Sequence, residues 1–584
     1  MNNQRNLLLA VLLSFLLLLG WDAAMGYLYP APPESAAEGP ADTPAELAGQ
    51  AASTSNGELD AGDAGANAPA DLRTALASAD RVRIEAPRLS GSINLADAMI
   101  DDVVLTGYAE STEGDEPVRL FSPQGTPLQH FAEFGFLVNG ARPGEGAWQA
   151  DGEVLAPGNP VTLTRSVGEG LTATISLSID ENYMLTAEQR IANTGSSGAV
   201  VQPFALINRT SATASDDFFI AHSGPMGVFG DAAEYGYDYD DVAEAGRVTP
   251  EGQVDWIGFT DIYWLSALVP EQGASAEAHF RSLGNDAYRS DVLYQPVTLA
   301  PGSAVERSTR LFVGAKESAL LDAYEDGGIA KFGRAIDWGW FMWFEKPLLW
   351  LLRQLFELAG NFGVAIILLT VIVRLLMFPI AQKQFASMAA MKAIQPRMKS
   401  IQEKHKEDKL KAQQEMQKLF KEEKVNPLAG CLPLLLQIPI FFALYKVLYL
   451  AIEMRHRPFL YIEDLSAPDP AKILNLFGML PFDPPSFLGI GILAVLLGVT
   501  MWLTFKLNPS AMDPMQQQIF NIMPWVLMFV MAPFAAGLLI YWNTSNILTL
   551  AQQKYLYSRH PQLKAAADKE RAEKAKAAQP KART

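Results

Sequence analysis

The chain has one cysteine, no recognisable catalytic motif and no acidic residue in its long C-terminal apolar runs, and each shortage excludes something. With Cys431 alone among 584 residues, no intramolecular disulfide, redox pair or cysteine-rich metal site can form. Cys431 opens an apolar run and reads as a packed thiol. There is no GxxxxGK[ST] loop, no GxSxG elbow and no HExxH helix, so nucleotide hydrolysis, serine-hydrolase chemistry and zinc proteolysis lack their signatures. Neither a metal nor another cofactor is expected, and the chain does not read as an enzyme. The five apolar runs after residue 360 contain no aspartate or glutamate, so a cation inside them has no ion-pair partner there.

What is present divides the chain by composition. It is 49% hydrophobic, with the apolar residues gathered in blocks, as expected for a soluble domain joined to a membrane domain. The net charge of −18 is segregated. Residues 382–424 hold 11 Lys and Arg against 6 Asp and Glu, and residues 554–584 hold 9 against 3. The acidic excess lies mostly before residue 340. Basic segments beside membrane spans stay in the cytoplasm, which puts these two inside and the acidic region outside.

In chain order, residues 1–29 contain Arg5 and the apolar run Leu7 to Gly20. This fits either a cleaved signal peptide or an anchor, and the apolar character resuming at Met25 to Tyr29 favours the anchor. Residues 30–80, rich in Ala, Pro, Glu, Gly, Ser and Asp, read as a flexible acidic linker. Residues 81–325 carry short alternating strands such as LTATISLSI (Leu171–Ile179) between turn residues, the pattern of one large β-sandwich. His130, Glu133 and His222 are the sugar- or metal-site nominees in this domain, but no ligand spacing supports them. Residues 331–358 mix Trp338, Trp340, Trp343 and Trp350 with charges and are interrupted by Pro347. They fit an interfacial amphipathic helix or a packed linker helix.

The region 359–553 reads as five spans: Phe362–Ile380, Leu432–Ala451, Phe487–Phe505, Gln517–Ala532 and Phe534 to about Leu550. After the first comes a polar hairpin, 382–424, turning near His405 to Asp408, with Phe385, Met388, Met391, Ile394, Met398 and Ile401 along one seam. A polar, Pro-rich loop, about Glu453 to Pro485, follows the second. Residues 554–584 form a basic tail. With the N-terminal anchor the count is six spans, both ends inside.

One residue is out of place. Arg374 lies in FGVAIILLTVIVRLLMFPI, one helical turn after Thr370. A charge there costs at least about 2.5–3.5 kcal/mol on insertion scales. It either snorkels to the headgroups or faces a wet cavity. Gln437, Thr500, Thr504 and the run Asn543 to Asn546 bring further neutral polar groups to membrane depth. With no carboxylate to pair, the cavity is the better account of Arg374.

The ordered set QRNLLL, VNPLAGCLPLLLQIPIFFALY (Val425–Tyr445), DPMQQQIFNIMP (Asp513–Pro524) and GLLIYWNTSNILTLAQQ (Gly537–Gln553) resembles the YidC/Oxa1/Alb3 membrane protein insertases in their six-span Gram-negative form. The resemblance implies a polytopic α-helical membrane protein with a five-helix insertase core and a large periplasmic β-supersandwich similar to sugar mutarotases. It implies insertion and folding of inner-membrane proteins, alone or with the Sec translocon, without nucleotide. The groove would be open to cytoplasm and lipid, with Arg374 and Thr370 as its charged and hydroxyl residues. Trp542, where many enterobacterial relatives carry Tyr, and Phe441 would be contacted by clients. Gln437, Tyr541 and Asn543 complete the candidate groove. Partners implied are nascent membrane proteins, the ribosome and membrane lipids, with no nucleic-acid sequence read. A small-solute or anion transporter is the competing reading, but the inverted repeat expected of one is not evident.

Overall fold

The computed structural model describes residues 71–144, 146–215, 222–230, 232–339, 342–405, 408–423, 432–477, 479–480, 482, 489–507 and 514–559. All belong to one compact unit, 55–584; the other unit, 1–54, falls outside the described residues. So do the expected anchor, most of the expected linker, Cys431 and the tail beyond Arg559. A short helix, α1 (Leu72–Leu76), stands at the end of the stretch read as linker.

Alternation in sequence becomes alternation in burial. Along Leu171–Ile179 the odd positions are buried, and the serines and threonines between them are half-buried or exposed. The strands form an eleven-stranded and a nine-stranded sheet, whose apolar faces share one continuous core. The pairing is antiparallel, except where Arg81–Glu85 lies parallel to Val154–Leu155. Central strands of the larger sheet, His130–Val138 and Ala199–Thr210, are buried along nearly their whole length. Helix α2 (Tyr239–Ala245) starts on a capping box between Asp238 and Asp241.

A polar strut joins the sheets. Gln189 is fully buried in the nine-stranded sheet, and its amide donates to the carbonyls of Gly135 and Phe204 in the other, both at 2.9 Å. Replacing it by Leu removes both inter-sheet hydrogen bonds, a cost of about 1–3 kcal/mol. Amide exchange across residues 130–138 and 199–210 of the intact chain should rise accordingly; unchanged protection would show that the strut is idle.

The last strand, Ala304–Ala315, leads into α3 (Ser318–Asp326) and a 3₁₀ turn, Phe332–Ala335. Phe332 packs edge-on against Phe312 (5.3 Å between ring centres) and Trp256 (5.5 Å), fastening this connection to the core. Then comes α4 (Met342–Ala359), which runs through Pro347 rather than breaking at it. The N–H that Pro347 lacks would have met the Trp343 carbonyl, so the damage stays near the helix start.

The longest helix, α5 (Phe362–Lys404), has 43 residues, about 65 Å at 1.5 Å per residue. The apolar run and the first arm of the hairpin, read as separate elements, are one helix that continues past Pro379. The turn falls at His405 to Asp408, where the Asp408 side chain caps α6 (Lys409–Glu422). Ile394 and Leu419 form the hairpin seam with Met398, Ile401 and Phe420. Four α-helices follow among the described residues: α7 (Leu432–Leu450), α8 (Ile492–Leu507), α9 (Pro514–Met531) and α10 (Ala536–Arg559). Among the described residues Phe362–Gln382 is long and apolar enough to cross a bilayer; Pro439–Leu450, Ile492–Lys506 and Phe520–Met531 are apolar but shorter. Helix α10 packs against both α5 and α8, and α9 packs on α8.

Candidate functional site

Helical spacing aligns the polar residues of α5 and α10 on facing stripes. Ile366, Thr370 and Arg374 recur every four residues, as do Tyr541, Ser545 and Thr549, so each set shares a helix face. Thr370 is fully buried and donates to the Ile366 carbonyl at 2.7 Å. Half-buried Arg374 reaches across to α10, where Ser545 Oγ accepts from Nε at 3.0 Å and also from Nη2. A guanidinium has five N–H donors, and no carboxylate forms a salt bridge with Arg374 among the described residues. Its counterpart is a neutral hydroxyl, so among the described residues the positive charge is positioned but not neutralised.

The other face of α10 is a staple. Asn543 Nδ2 donates at 2.9 Å to both the Leu493 and Leu539 carbonyls, tying α10 to the start of α8. Thr500 Oγ1 lies 3.3 Å from Asn543 Oδ1 and accepts from Asn546 Nδ2 at 3.2 Å. Thr504 donates to the Thr500 carbonyl at 2.8 Å. Hydrogen bonds of this kind between helices hold bundles together where the apolar effect cannot. Both amide hydrogens of Asn543 are thereby engaged, and Tyr541 is buried, so these two residues line the site as scaffold.

Phe441 of α7 meets Trp542 of α10, ring centres 4.6 Å apart and tilted by 53°. Both rings are half-buried. The contact extends along α7 to Tyr445, which packs on Phe534 at 5.4 Å. The structure thus brings Thr370, Arg374, Tyr541, Trp542, Asn543 and Phe441 onto α5, α10 and α7 around α10. Gln437 lies in the α7 backbone, but its side chain is outside the described residues. Ser545, the partner of Arg374, stands in the polar Asn543–Asn546 run, and only its four-residue spacing from Tyr541 and Thr549 distinguishes it.

The β-domain nominees do not converge. His130 Nε2 is 3.0 Å from Ser266 Oγ, its ring packs on Phe121, and it borders a cavity of about 730 Å³ beside Arg209, Asp261 and Trp264. Burial and the Arg209 charge hold its imidazole well below the ordinary range, which keeps it neutral. Glu133 accepts from Arg142 at 2.7 Å, and His222 donates to the Pro225 carbonyl at 2.8 Å. No group of three metal-ligating side chains occurs among the described residues.

Two family models match the chain: the YidC periplasmic domain over residues 81–351 and the 60Kd inner membrane protein over residues 354–564. The chain is 42% identical to the membrane protein insertase YidC of Rhizobium johnstonii, covering 96% of both chains. It is 40% identical to those of Methylorubrum extorquens and Zymomonas mobilis, again covering 96% of each. A crystal structure of an active YidC insertase with its first transmembrane domain resolved aligns over 82% of this chain and 93% of that one, at 19% identity and a TM-score of 0.36. A galactose mutarotase-like protein from Lactobacillus casei aligns over 40% of this chain and all of its own, at 9% identity and a TM-score of 0.28.

Proposed function

Since the chain belongs to the family of the membrane protein insertase YidC, we propose that it carries short polar tails of client proteins across the inner membrane through a groove centred on Arg374. The family makes it an inner-membrane insertase with a periplasmic β-domain. In our reading the N-terminal anchor, the apolar part of α5, and α7, α8, α9 and α10 cross the bilayer, with both termini, the hairpin and the basic tail in the cytoplasm. The charge excess of 382–424 and 554–584 supports that orientation.

The observation that carries the groove is the pairing of Arg374 with the Ser545 hydroxyl instead of a carboxylate. A guanidinium without a counter-ion is tolerated at membrane depth where water reaches it. It is also available to attract an acidic residue of an incoming tail. A polar tail crossing bare hydrocarbon leaves each backbone group unsatisfied at several kcal/mol; a hydrated half-channel shortens that path. Burial of the client's apolar helix then supplies the drive, at about 25 cal/mol per Å², aided by the membrane potential on acidic groups. Phe441 and Trp542 form an aromatic edge past which that helix slides toward lipid. No covalent chemistry is assigned. The hairpin would receive clients, the basic tail would lie near the anionic ribosome, and the Sec translocon would share larger clients.

Reconstitution tests this. Intact protein in liposomes should insert a single-span client with a short acidic tail in the absence of nucleotide, scored by protease protection of the tail. Insertion no better than into protein-free liposomes would overturn the reading.

A further inference from the structure

The connection between α7 and α8 reads as a polar loop from composition, yet several of its apolar side chains face outward. Leu460, Leu474, Leu476, Phe477, Met479 and Phe482 are 49% to 84% exposed. Of the acidic groups beside them, Glu463 is exposed, while Asp464 is half-buried and Asp469 is turned inward. Asp469 is buried and accepts from the amides of Ala471 (3.0 Å) and Leu493 (2.7 Å), and Asp464 accepts from the amides of His456 and Ser466. Leu476 and Phe477 hold left-handed backbone, φ 51° and 63°, a conformation that costs apolar residues of order 1 kcal/mol and persists only where the surroundings impose it.

The surroundings do impose it. The Phe477 amide donates to the Lys472 carbonyl at 2.8 Å, the Ile473 amide to Ile490 at 3.0 Å and the Ile492 amide to Ala471 at 3.2 Å, seating the loop on the first turn of α8. A side chain at Gly491 would collide with Asp469, and one at Gly363 with the Phe459 ring. Both close approaches fix the loop to the starts of α8 and α5. The outward apolar surface is therefore a built feature. Contiguous exposed apolar patches mark contact with a membrane or a protein.

Two observations favour lipid. Exposed Ile492, Leu496, Val499 and Leu503 form one stripe along α8, spaced by four, three and four, and the loop's apolar surface begins where that stripe ends. Moreover, α8 has 16 residues, about 24 Å of helix against a hydrocarbon layer of about 30 Å. A span too short for its bilayer needs apolar surface from elsewhere or a thinner membrane.

We propose that the exposed side chains of Leu460, Leu474, Leu476, Phe477, Met479 and Phe482 seat in the outer leaflet, where they continue the α8 stripe and supply the hydrocarbon contact that helix lacks. The inference rests on α8 crossing the membrane, so its test must separate the two. In a Cys431→Ser background, an environment-sensitive fluorophore is placed by Leu476→Cys, Leu496→Cys or, on the exposed β-domain surface, Glu113→Cys. The labelled full-length protein is reconstituted in phosphatidylcholine vesicles containing shallow- or deep-doxyl lipid.

The expected result is quenching at 476 mainly by shallow-doxyl lipid, quenching at 496 by doxyl lipid, and none at 113, independent of the protein-to-lipid ratio. Quenching at 496 with an unquenched, water-exposed probe at 476 would overturn the loop proposal alone. A probe at 476 that is shielded yet unquenched, or shielded only at high protein density, would identify a protein or a second copy as its cover and also overturn it. No quenching at either site would sink the membrane reading of α8 itself.

Discussion

Arg374→Ala should reduce the insertion rate of clients with acidic tails by about ten- to a hundredfold, and Arg374→Lys by clearly less. The magnitude follows from the loss of a charge-assisted contact, about 1.5–3 kcal/mol, where about 1.4 kcal/mol is a tenfold change. Lys restores the positive charge but not the fork that lets one guanidinium engage Ser545 and an incoming carboxylate together. Clients with neutral tails should respond weakly to either change. Ser545→Ala separates positioning from charge: it removes the acceptor at 3.0 Å but leaves the cation, so it should slow insertion less than Arg374→Ala. Complementation of an insertase-depleted strain and initial rates in proteoliposomes provide the readouts. Normal insertion of every client by the Ala variant would rule out the groove-charge role in this protein.

Arg374 was conspicuous in sequence because it violates an otherwise apolar run; Ser545 was not, because which residue of a polar run faces α5 depends on helix phase and on packing between segments 171 positions apart. The same limit applied to Asn543. It reads as a polar residue at membrane depth, but both its amide hydrogens are engaged by backbone carbonyls of α8 and α10. The strand Leu171–Ile179 was legible from its period of two, whereas His130–Val138, buried on both faces, shows no such alternation.

Helix continuity was harder to see. Pro347 and Pro379 suggest breaks, yet α4 and α5 pass through them, since a proline removes one hydrogen bond and a packed helix retains the rest. The outward apolar residues of the loop at 460–482 were hidden in the sequence for a different reason. The loop's average composition is polar and Pro-rich, but turns consume Asp464 and Asp469 internally and leave Leu460, Leu474 and Leu476 outside.

The second large effect concerns the β-domain. Adjacent strands Ala276–Gly284 and Ala287–Tyr294 place His279 and Arg281 around Asp291, all 1% exposed or less. Asp291 Oδ1 is 2.8 Å from His279 Nδ1, and Oδ2 accepts from Arg281 Nε at 2.5 Å. Burial alone would raise this carboxyl, but the hydrogen bond from His279 and the Arg281 charge hold it below the usual carboxylate range. Asp291→Asn keeps the shape and removes the negative charge from the buried pair with Arg281, at a cost of about 3–5 kcal/mol. Amide exchange in 276–294 of the detergent-solubilised full chain should accelerate by roughly two to four decades.

The pH dependence has a definite sign. Because the folded carboxyl is depressed, Asp291 contributes its full stability above the unfolded value of about 4 and loses it as pH falls through the lower folded value. Native protein should therefore show no loss from this group between neutrality and about pH 5, with an acid limb below that is blunted in the Asn variant. Exchange unchanged by the substitution would mean that the cluster is isolated from the domain's stability. None of the hydrogen bonds of Arg374, Ser545, Asn543 or Thr500 described above involves this sheet, so Asp291→Asn should leave acidic-tail insertion largely intact while loosening the β-domain. A parallel loss of insertion would instead show that the groove depends on the rigidity of the domain above it.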